Sequence, residues 1–163
     1  MTDNTADADS LQRTFLVVVD DSEEMRAALR YACRRARHTG GRVALLRVVQ
    51  PTEFQNFAAI GDLMRDEARQ EAEQLLQRMA TEVNECAGQV PVLYVRDGEP
   101  RDELLKLIDE EPEISILVLA AGTGPEGPGP LITALIGKYS NRLRVPVTVV
   151  PGTLSDAEIC RIA

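Results

Sequence analysis

A glycine- and proline-rich loop is the segment of this chain whose residue types are best suited to holding a ligand. Residues 120–130 read AAGTGPEGPGP and follow a predicted buried strand at 114–119. Glycine permits close backbone approach and positive φ angles. A loop between a strand's carboxyl end and a helix is where α/β proteins bind phosphates. The composition of the loop therefore favours a nucleotide or another anion as its ligand.

The same loop also carries features that oppose phosphate binding. Pro125, Pro128 and Pro130 each lack a backbone N–H donor. Glu126 adds a negative charge, and no Lys or Arg lies within residues 120–130. A rigid capping loop without any ligand is therefore the alternative interpretation, and the sequence leaves both open.

Two adjacent carboxylates form a second candidate site. Asp20 and Asp21 directly follow the apolar run at 15–19. They could hold a magnesium ion with the help of a phosphate, or they could form a turn before a helix that Ser22 caps. His38 is the only histidine and lies at the predicted end of that helix. Because no paired acid and base, Cys/His nucleophile or metal-ligand cluster stands out, we expect no enzyme activity.

Strands and helices alternate along the chain and must position these residues. Apolar strands are predicted at 15–19, 43–49, 90–95, 114–119 and 145–150, with a helix in each interval. This alternation predicts an α/β fold, a Rossmann-like doubly wound sheet of five parallel strands with helices on both faces. Ligands of such sheets bind outside the carboxyl ends of the strands. Asp20, Val48 and the loop after Leu119 should therefore meet at one edge.

Length, composition and charge limit the classes of function. The 163 residues are 44% hydrophobic, which suits one domain with a real core. The net charge of -8 and the lack of clustered cations argue against nucleic acid as a partner. No apolar run approaches the length of a membrane span. Three scattered cysteines, Cys33, Cys86 and Cys160, fit a reducing cytoplasm better than a disulfide framework or a zinc site.

The chain divides into three predicted parts. Residues 1–13 are expected to be a disordered acidic leader, because they lack the basic and apolar regions of a signal peptide. Residues 14–152 form the domain, and residues 153–163 form a short helical appendix that opens on a capping-box pattern from Ser155 to Glu158. The appendix could pack on the domain or on a partner. These features predict a cytoplasmic protein.

Two protein families share features with the first strand. The run LVVVDDSEEMR from Leu16 resembles the start of a response-regulator receiver domain, in which an acidic pair holds magnesium beside a phosphorylated aspartate. That family would place the aspartate nearer the acidic pair than Asp97 lies, and a lysine where this chain has Val149 and Val150. A receiver-like phosphoacceptor is therefore a remote alternative.

The stretch from Phe15 to Pro151 resembles the universal stress protein family much more closely. The matching segments, in order, are VVVDDSEE, LLRVV, a long second helix, VRDGEP, ILVLAAG and VPVTVVP. The resemblance implies the strand order 3-2-1-4-5. It also implies a homodimer in which the fifth strand, Pro146 to Val150, pairs with its copy, which would cover an exposed apolar edge.

Some members of that family bind ATP, so the resemblance implies a site for ATP or another adenine nucleotide. Asp20 matches an aspartate that contacts the nucleotide, and Val48 matches a valine that lines the adenine pocket. The family's phosphate loop has the pattern G-x-x-G, nine residues, then G and Ser or Thr. Gly122 and three further glycines in this loop would allow the backbone to approach a phosphate closely.

Two registers of that pattern are open. The first places Gly124, Gly127 and Gly137 on the three glycines and Lys138 on the Ser/Thr position. The second is gapless and places Ala120, Thr123, Thr133 and Ala134 on the four positions, so that the pattern is lost. An apolar stripe predicts one long helix that contains Gly137 and favours the second register; its members are Leu131, Ile132, Leu135, Ile136, Tyr139 and Leu143.

Three functions follow from these features. The first is a dimeric regulatory or stress-response protein that binds an adenine nucleotide. The second is a nucleotide-free interaction protein of the same fold, acting through its dimer and its acidic second helix. The third is an enzyme, either an ATP hydrolase or a receiver-like phosphoacceptor.

Overall fold

The computed structural model describes residues 12–51 and 58–163, so the predicted leader lies almost entirely outside the described residues. Strands and helices alternate in the order β1 (Thr14–Val18), α1 (Met25–Thr39), β2 (Arg42–Val49), α2 (Ala58–Ala87), β3 (Val92–Asp97), α3 (Pro100–Glu110), β4 (Ile114–Ala121), α4 (Pro130–Ile136), a 3₁₀ turn (Ser140–Arg142), β5 (Val147–Pro151) and α5 (Asp156–Ile162).

The five strands form one parallel sheet in the order β3-β2-β1-β4-β5, which confirms the predicted fold class. β1 lies at the centre, where Phe15 is paired with Val43 of β2 on one side and with Ile116 of β4 on the other. The order reverses between β1 and β4, and their following helices cover opposite faces of the sheet. A crevice therefore opens where these two strands end.

Alternate residues of the strands pack into two separate cores. The face that carries Phe15 and Leu45 packs beneath α1, α2 and α5. The face that carries Leu16 and Leu46 packs beneath α3 and α4. Because both faces are covered, the inner strands are mostly apolar on both faces and do not alternate between apolar and polar residues.

The start of α1 differs from the prediction. Ser22 is not its N-cap, because the helix begins at Met25 with Glu24 at the cap position. The Ser22 amide instead donates to Asp20 Oδ1 at 2.9 Å, and the Ser22 hydroxyl donates to the same oxygen. The Ser22 hydroxyl is therefore bonded to Asp20 in a local turn and does not cap the helix. The predicted end of α1 is correct, since Gly40 adopts the left-handed conformation there.

The predicted long helix through Leu143 is wrong. α4 ends at Ile136, and a separate 3₁₀ turn precedes β5. Gly137 is the C-cap of α4 and not an interior residue, and a Cβ atom there would lie 2.8 Å from the Thr133 carbonyl oxygen. Ile136, a member of the apolar stripe, is 57% exposed. The stripe therefore does not form one buried face, and it lends no support to the gapless register.

The residues after 152 pack on the domain. Ser155 and Glu158 form the capping box of α5, with the Ser155 amide donating to the Glu158 carboxylate at 2.8 Å. The backbone and hydroxyl hydrogen bonds of Ser155 hold the pKa of Glu158 below its usual value. Ile159 is fully buried, and Arg34 of α1 donates to the Cys160 carbonyl at 3.1 Å. Within residues 12–51 and 58–163, no helix has the length and apolar character needed to span a bilayer.

Candidate functional site

A cleft of about 930 Å³ opens at the carboxyl edge of the sheet. The ends of β1, β2 and β4 line it, together with one side of α2 and the start of α4. Binding sites for small molecules commonly occupy roughly 300–1,000 Å³. The cleft lies at the reversal of strand order, where ligands of doubly wound sheets bind.

Asp20 lies in the lining of this cleft, just beyond the end of β1. Its Oδ1 atom accepts two hydrogen bonds from Ser22, which fix the carboxylate. Its Oδ2 atom accepts no hydrogen bond from the described residues. One oxygen is therefore held in place while the other can accept a hydrogen bond from a ligand hydroxyl or amino group.

Val48 contributes to an apolar wall of the cleft. It lies near the end of β2 and is half-buried against the core beneath α3 and α4. Leu119 of β4 and Leu131 and Ile132 of α4 belong to the same core and also line the cleft. This wall offers the kind of surface on which a flat aromatic ring packs.

Arg47 is a cleft residue that the sequence reasoning missed. Its Nη1 atom donates to the Val19 carbonyl at 3.2 Å, and its Nη2 atom contacts Asp21 Oδ2 at 3.2 Å. The available signal was its position as the one charged residue within the apolar run at 43–49.

The lining of the cleft mixes both signs of charge. Four carboxylates contribute to it, on Asp20, Asp21, Glu24 and Glu71, and two guanidinium groups face it, on Arg47 and Arg78. Asp21 pairs with Arg47, whereas Asp20 accepts its hydrogen bonds from Ser22. The described residues contain no group of three or more His, Cys, Asp and Glu side chains that could hold a metal ion.

The β4–α4 loop (residues 122–129) is closed by its own hydrogen bonds. The Gly122 amide donates to the Pro128 carbonyl at 3.0 Å, and the Gly127 amide donates to the Gly124 carbonyl at 3.3 Å. Pro128 and Gly129 line the cleft, whereas Gly122, Gly124 and Gly127 do not. Two of the glycines that suggested a phosphate site therefore donate their amides to carbonyl oxygens within the loop.

The remaining predicted site residues also lie outside the lining of the cleft. Thr133 is exposed within α4 and donates its hydroxyl to the Gly129 carbonyl at 2.9 Å. Gly137 ends that helix, and Lys138 is exposed with Nζ 5.7 Å from the ring centroid of Tyr139. The structure therefore brings Asp20 and Val48 together and leaves the six loop and α4 residues apart from them.

His38 and the cysteines do not line the cleft either. The Nδ1 atom of His38 lies 2.9 Å from the Ala163 carbonyl oxygen, so the histidine joins α1 to the end of α5. Cys33 is buried beside Cys86 between α1 and α2, and burial raises the pKa of the Cys33 thiol above its usual range. Cys33 is therefore a protonated core residue at neutral pH.

The model of the universal stress protein family matches residues 12–151 of this chain. The chain belongs to the universal stress protein family. No curated protein sequence matches it. The match covers all five strands and ends at the last residue of β5, so α5 lies beyond it.

Solved structures of this family share the fold. The universal stress protein UspA from Lactobacillus plantarum has a TM-score of 0.71 and 19% identity, over 85% of this chain and 97% of that chain. A family member from Arabidopsis thaliana with AMP bound has a TM-score of 0.57 and 16% identity, over 85% and 91%. A universal stress protein in complex with cAMP has a TM-score of 0.53 and 19% identity, over 88% and 100%.

Proposed function

We propose that this universal stress protein binds an adenine nucleotide in the cleft and acts as a regulatory protein through that binding. The observation that carries the proposal is the pairing of Asp20 with the apolar wall around Val48 in one cleft. A nucleoside suits this pair of features. Its ribose hydroxyl groups can donate to the free carboxylate oxygen of Asp20, and its flat base can pack on the apolar wall.

Two of the similar structures support this proposal. One contains AMP and the other contains cAMP, and both have the same fold as this chain. Their low identities mean that the support concerns only the class of ligand. Asp20 and Val48 are proposed to hold the ligand because both line the cleft of this chain.

Calorimetry with adenosine, AMP and ATP tests the proposal, together with mass spectrometry of nucleotide released from the denatured protein. We expect binding that Asp20→Ala weakens by about tenfold, because a hydrogen bond to a charged group is lost. Asp109→Ala, which changes an exposed carboxylate on α3, is the matched control. No released nucleotide and no heat of binding at millimolar ligand would exclude this function.

An enzyme remains the competing function for the same cleft. We propose that the protein binds nucleotide without turning it over, since the strand ends offer Asp20 as a ligand-binding group and no histidine or cysteine among the described residues lines the cleft. ATP hydrolysis by the wild-type protein that exceeds the rate of Asp20→Ala would favour a hydrolase instead.

We also propose that the protein forms a homodimer through β5. β5 is an edge strand that pairs only with β4 within the described sheet, and its residues Val147, Thr148 and Val149 are only half-buried. An edge with unpaired backbone groups favours pairing with a second copy. A dimer that binds no nucleotide would favour the interaction protein, with the acidic surface of α2 as a further contact.

Light scattering after size-exclusion chromatography tests this dimer. Thr148→Lys should convert the dimer to a monomer, because it places like charges opposite each other across the two-fold axis. Thr153→Lys, at an exposed position just after β5, is the control and should remain dimeric. A Thr148→Lys protein that stays dimeric would place the interface elsewhere.

A further inference from the structure

We infer that Arg47 and Arg78, and not the β4–α4 loop, bind the phosphate of the ligand, and that the ligand is a nucleoside monophosphate. This inference rests on the proposed nucleotide function and names the groups that read the phosphate. Both arginines line the cleft that also contains Asp20 and Val48.

Arg47 is positioned by the sheet. Arg47 is paired with Val95 of β3. The residue before it, Leu46, is paired with Val18 of β1. The backbone of Arg47 is therefore fixed by β3, with the preceding residue fixed by β1, and its side chain is only 23% exposed. A guanidinium group held in this way needs little reorganisation when it binds an anion.

The present partner of Arg47 can be replaced by a ligand. The Asp21 side chain is 86% exposed, and an exposed ion pair contributes little to stability. The Nε–H donor of Arg47 makes no hydrogen bond within the described part of the chain. A phosphate can accept two parallel hydrogen bonds from one guanidinium group, a geometry that favours arginine over lysine. We therefore expect phosphate to take the place of Asp21.

Arg78 is the second cation of the cleft. It lies on α2, is exposed, and forms no ion pair with any residue in 12–51 or 58–163. Its flexible side chain could reach a phosphate held at Arg47. Because an exposed arginine must lose more rotamer freedom on binding, its contribution should be the smaller of the two.

The β4–α4 loop is poorly equipped for the same task. The amides of Gly122 and Gly127 are already donated within the loop, and its prolines have none to donate. Glu126 adds a negative charge to the loop. The helix that follows, α4, has only seven residues. Phosphate therefore meets donors on the β2 and α2 side of the cleft and few on the loop side.

The charges of the lining favour a single phosphate group. A phosphate monoester carries about two negative charges at neutral pH, which the two guanidinium groups can neutralise. The four carboxylates in the lining repel every phosphate group, and this repulsion grows with the additional charge of a triphosphate. We therefore expect AMP to bind at least as tightly as ATP when no divalent cation is present.

Calorimetry with adenosine, AMP and ATP in chelator tests the inference on the full chain. In the wild-type protein AMP should bind more tightly than adenosine, and ATP no more tightly than AMP. Arg47→Gln should weaken AMP binding by roughly 10- to 100-fold and leave adenosine binding nearly unchanged. Arg47→Lys should restore part of the loss, and Arg78→Gln should weaken AMP binding by about threefold.

Arg96→Gln is the matched control. Arg96 lies on the neighbouring strand β3, its side chain is 27% exposed, and it pairs with the surface carboxylate of Glu110. The substitution removes the same charge from a similar environment outside the lining of the cleft. It should leave the affinities for adenosine and AMP unchanged, and thermal unfolding of both variants should show that each is folded.

The outcomes distinguish this inference from the proposed function. If Arg47→Gln and Arg47→Lys keep the wild-type ratio of AMP to adenosine affinity, the arginine assignment is wrong and nucleotide binding stands. If ATP binds more tightly than AMP in chelator, the monophosphate assignment is wrong. If neither adenosine nor AMP binds, the proposed function fails and this inference fails with it.

Discussion

The two sides of the cleft show two ways of holding residues at the end of a sheet. On one side, Arg47 and Val48 lie within β2 and are positioned by strand pairing to β3. On the other side, residues 122–129 are positioned by hydrogen bonds within the loop, such as the one from Gly122 to Pro128. Arg47 and Val48 line the cleft, whereas only Pro128 and Gly129 of the loop do so, and the amides of Gly122 and Gly127 donate within the loop.

The comparison shows that glycines at this edge of the sheet serve different purposes. Gly152, after β5, is packed so closely that no side chain fits. Gly129 has a φ angle of 114°, a conformation that other residues rarely adopt. Gly124 has open space around it and no positive φ angle. A count of glycines therefore does not identify a phosphate site, and substitutions at these three positions measure the difference.

Gly152→Ala should have the largest effect on stability. A Cβ atom there would lie 2.6 Å from the Ala121 carbonyl oxygen and 2.6 Å from Glu24 Cβ. The ends of β4 and β5 and the start of α1 would have to separate, at a cost of about 3 kcal/mol. Urea unfolding followed by circular dichroism measures the change. An unaltered unfolding midpoint would mean that this edge is loosely packed.

Gly129→Ala should have an intermediate effect, of about 2 kcal/mol, for a different reason. No atom lies within 4 Å of the added Cβ, so the cost arises from the backbone conformation, with φ at 114° and ψ at 158°. The same urea titration measures it, and Gly124→Ala serves as the control in the same loop. Equal stability of the two variants would show that the start of α4 is free to adopt another conformation.

The fold was predictable because both faces of the sheet are covered. The run at 15–19 is apolar throughout and the run at 114–119 is apolar except for Ser115, a pattern typical of buried parallel strands. The length of α4 was not predictable from the same kind of signal. Its apolar stripe includes Ile136, which is exposed, and the helix stops at Gly137 because the chain must turn towards β5. That turn depends on tertiary structure and not on local spacing.

The candidate site was predictable only in part. Asp20 and Val48 follow from the rule that ligands bind where parallel strands end, and the structure brings both to the cleft, where their role stays a prediction. Arg47 and Arg78 were not predicted as site residues because they lie on β2 and α2, outside the glycine-rich β4–α4 loop. Only the folded arrangement shows that a strand residue and a helix residue so distant in sequence line the same cleft.

Gly124→Ala should have the smallest effect, and it distinguishes the two sides of the cleft most directly. In the register that uses Gly124, Gly127 and Gly137, this glycine is the first of the phosphate pattern, and an added methyl group should weaken nucleotide binding. If Arg47 and Arg78 hold the phosphate, the affinity for AMP should stay within about twofold of wild type. Stability should be unchanged or rise by up to about 1 kcal/mol, because alanine restricts the unfolded chain. A tenfold loss of AMP affinity with unchanged stability would indicate that the loop binds the phosphate. Only a backbone contact at Gly124 could be so sensitive to one methyl group.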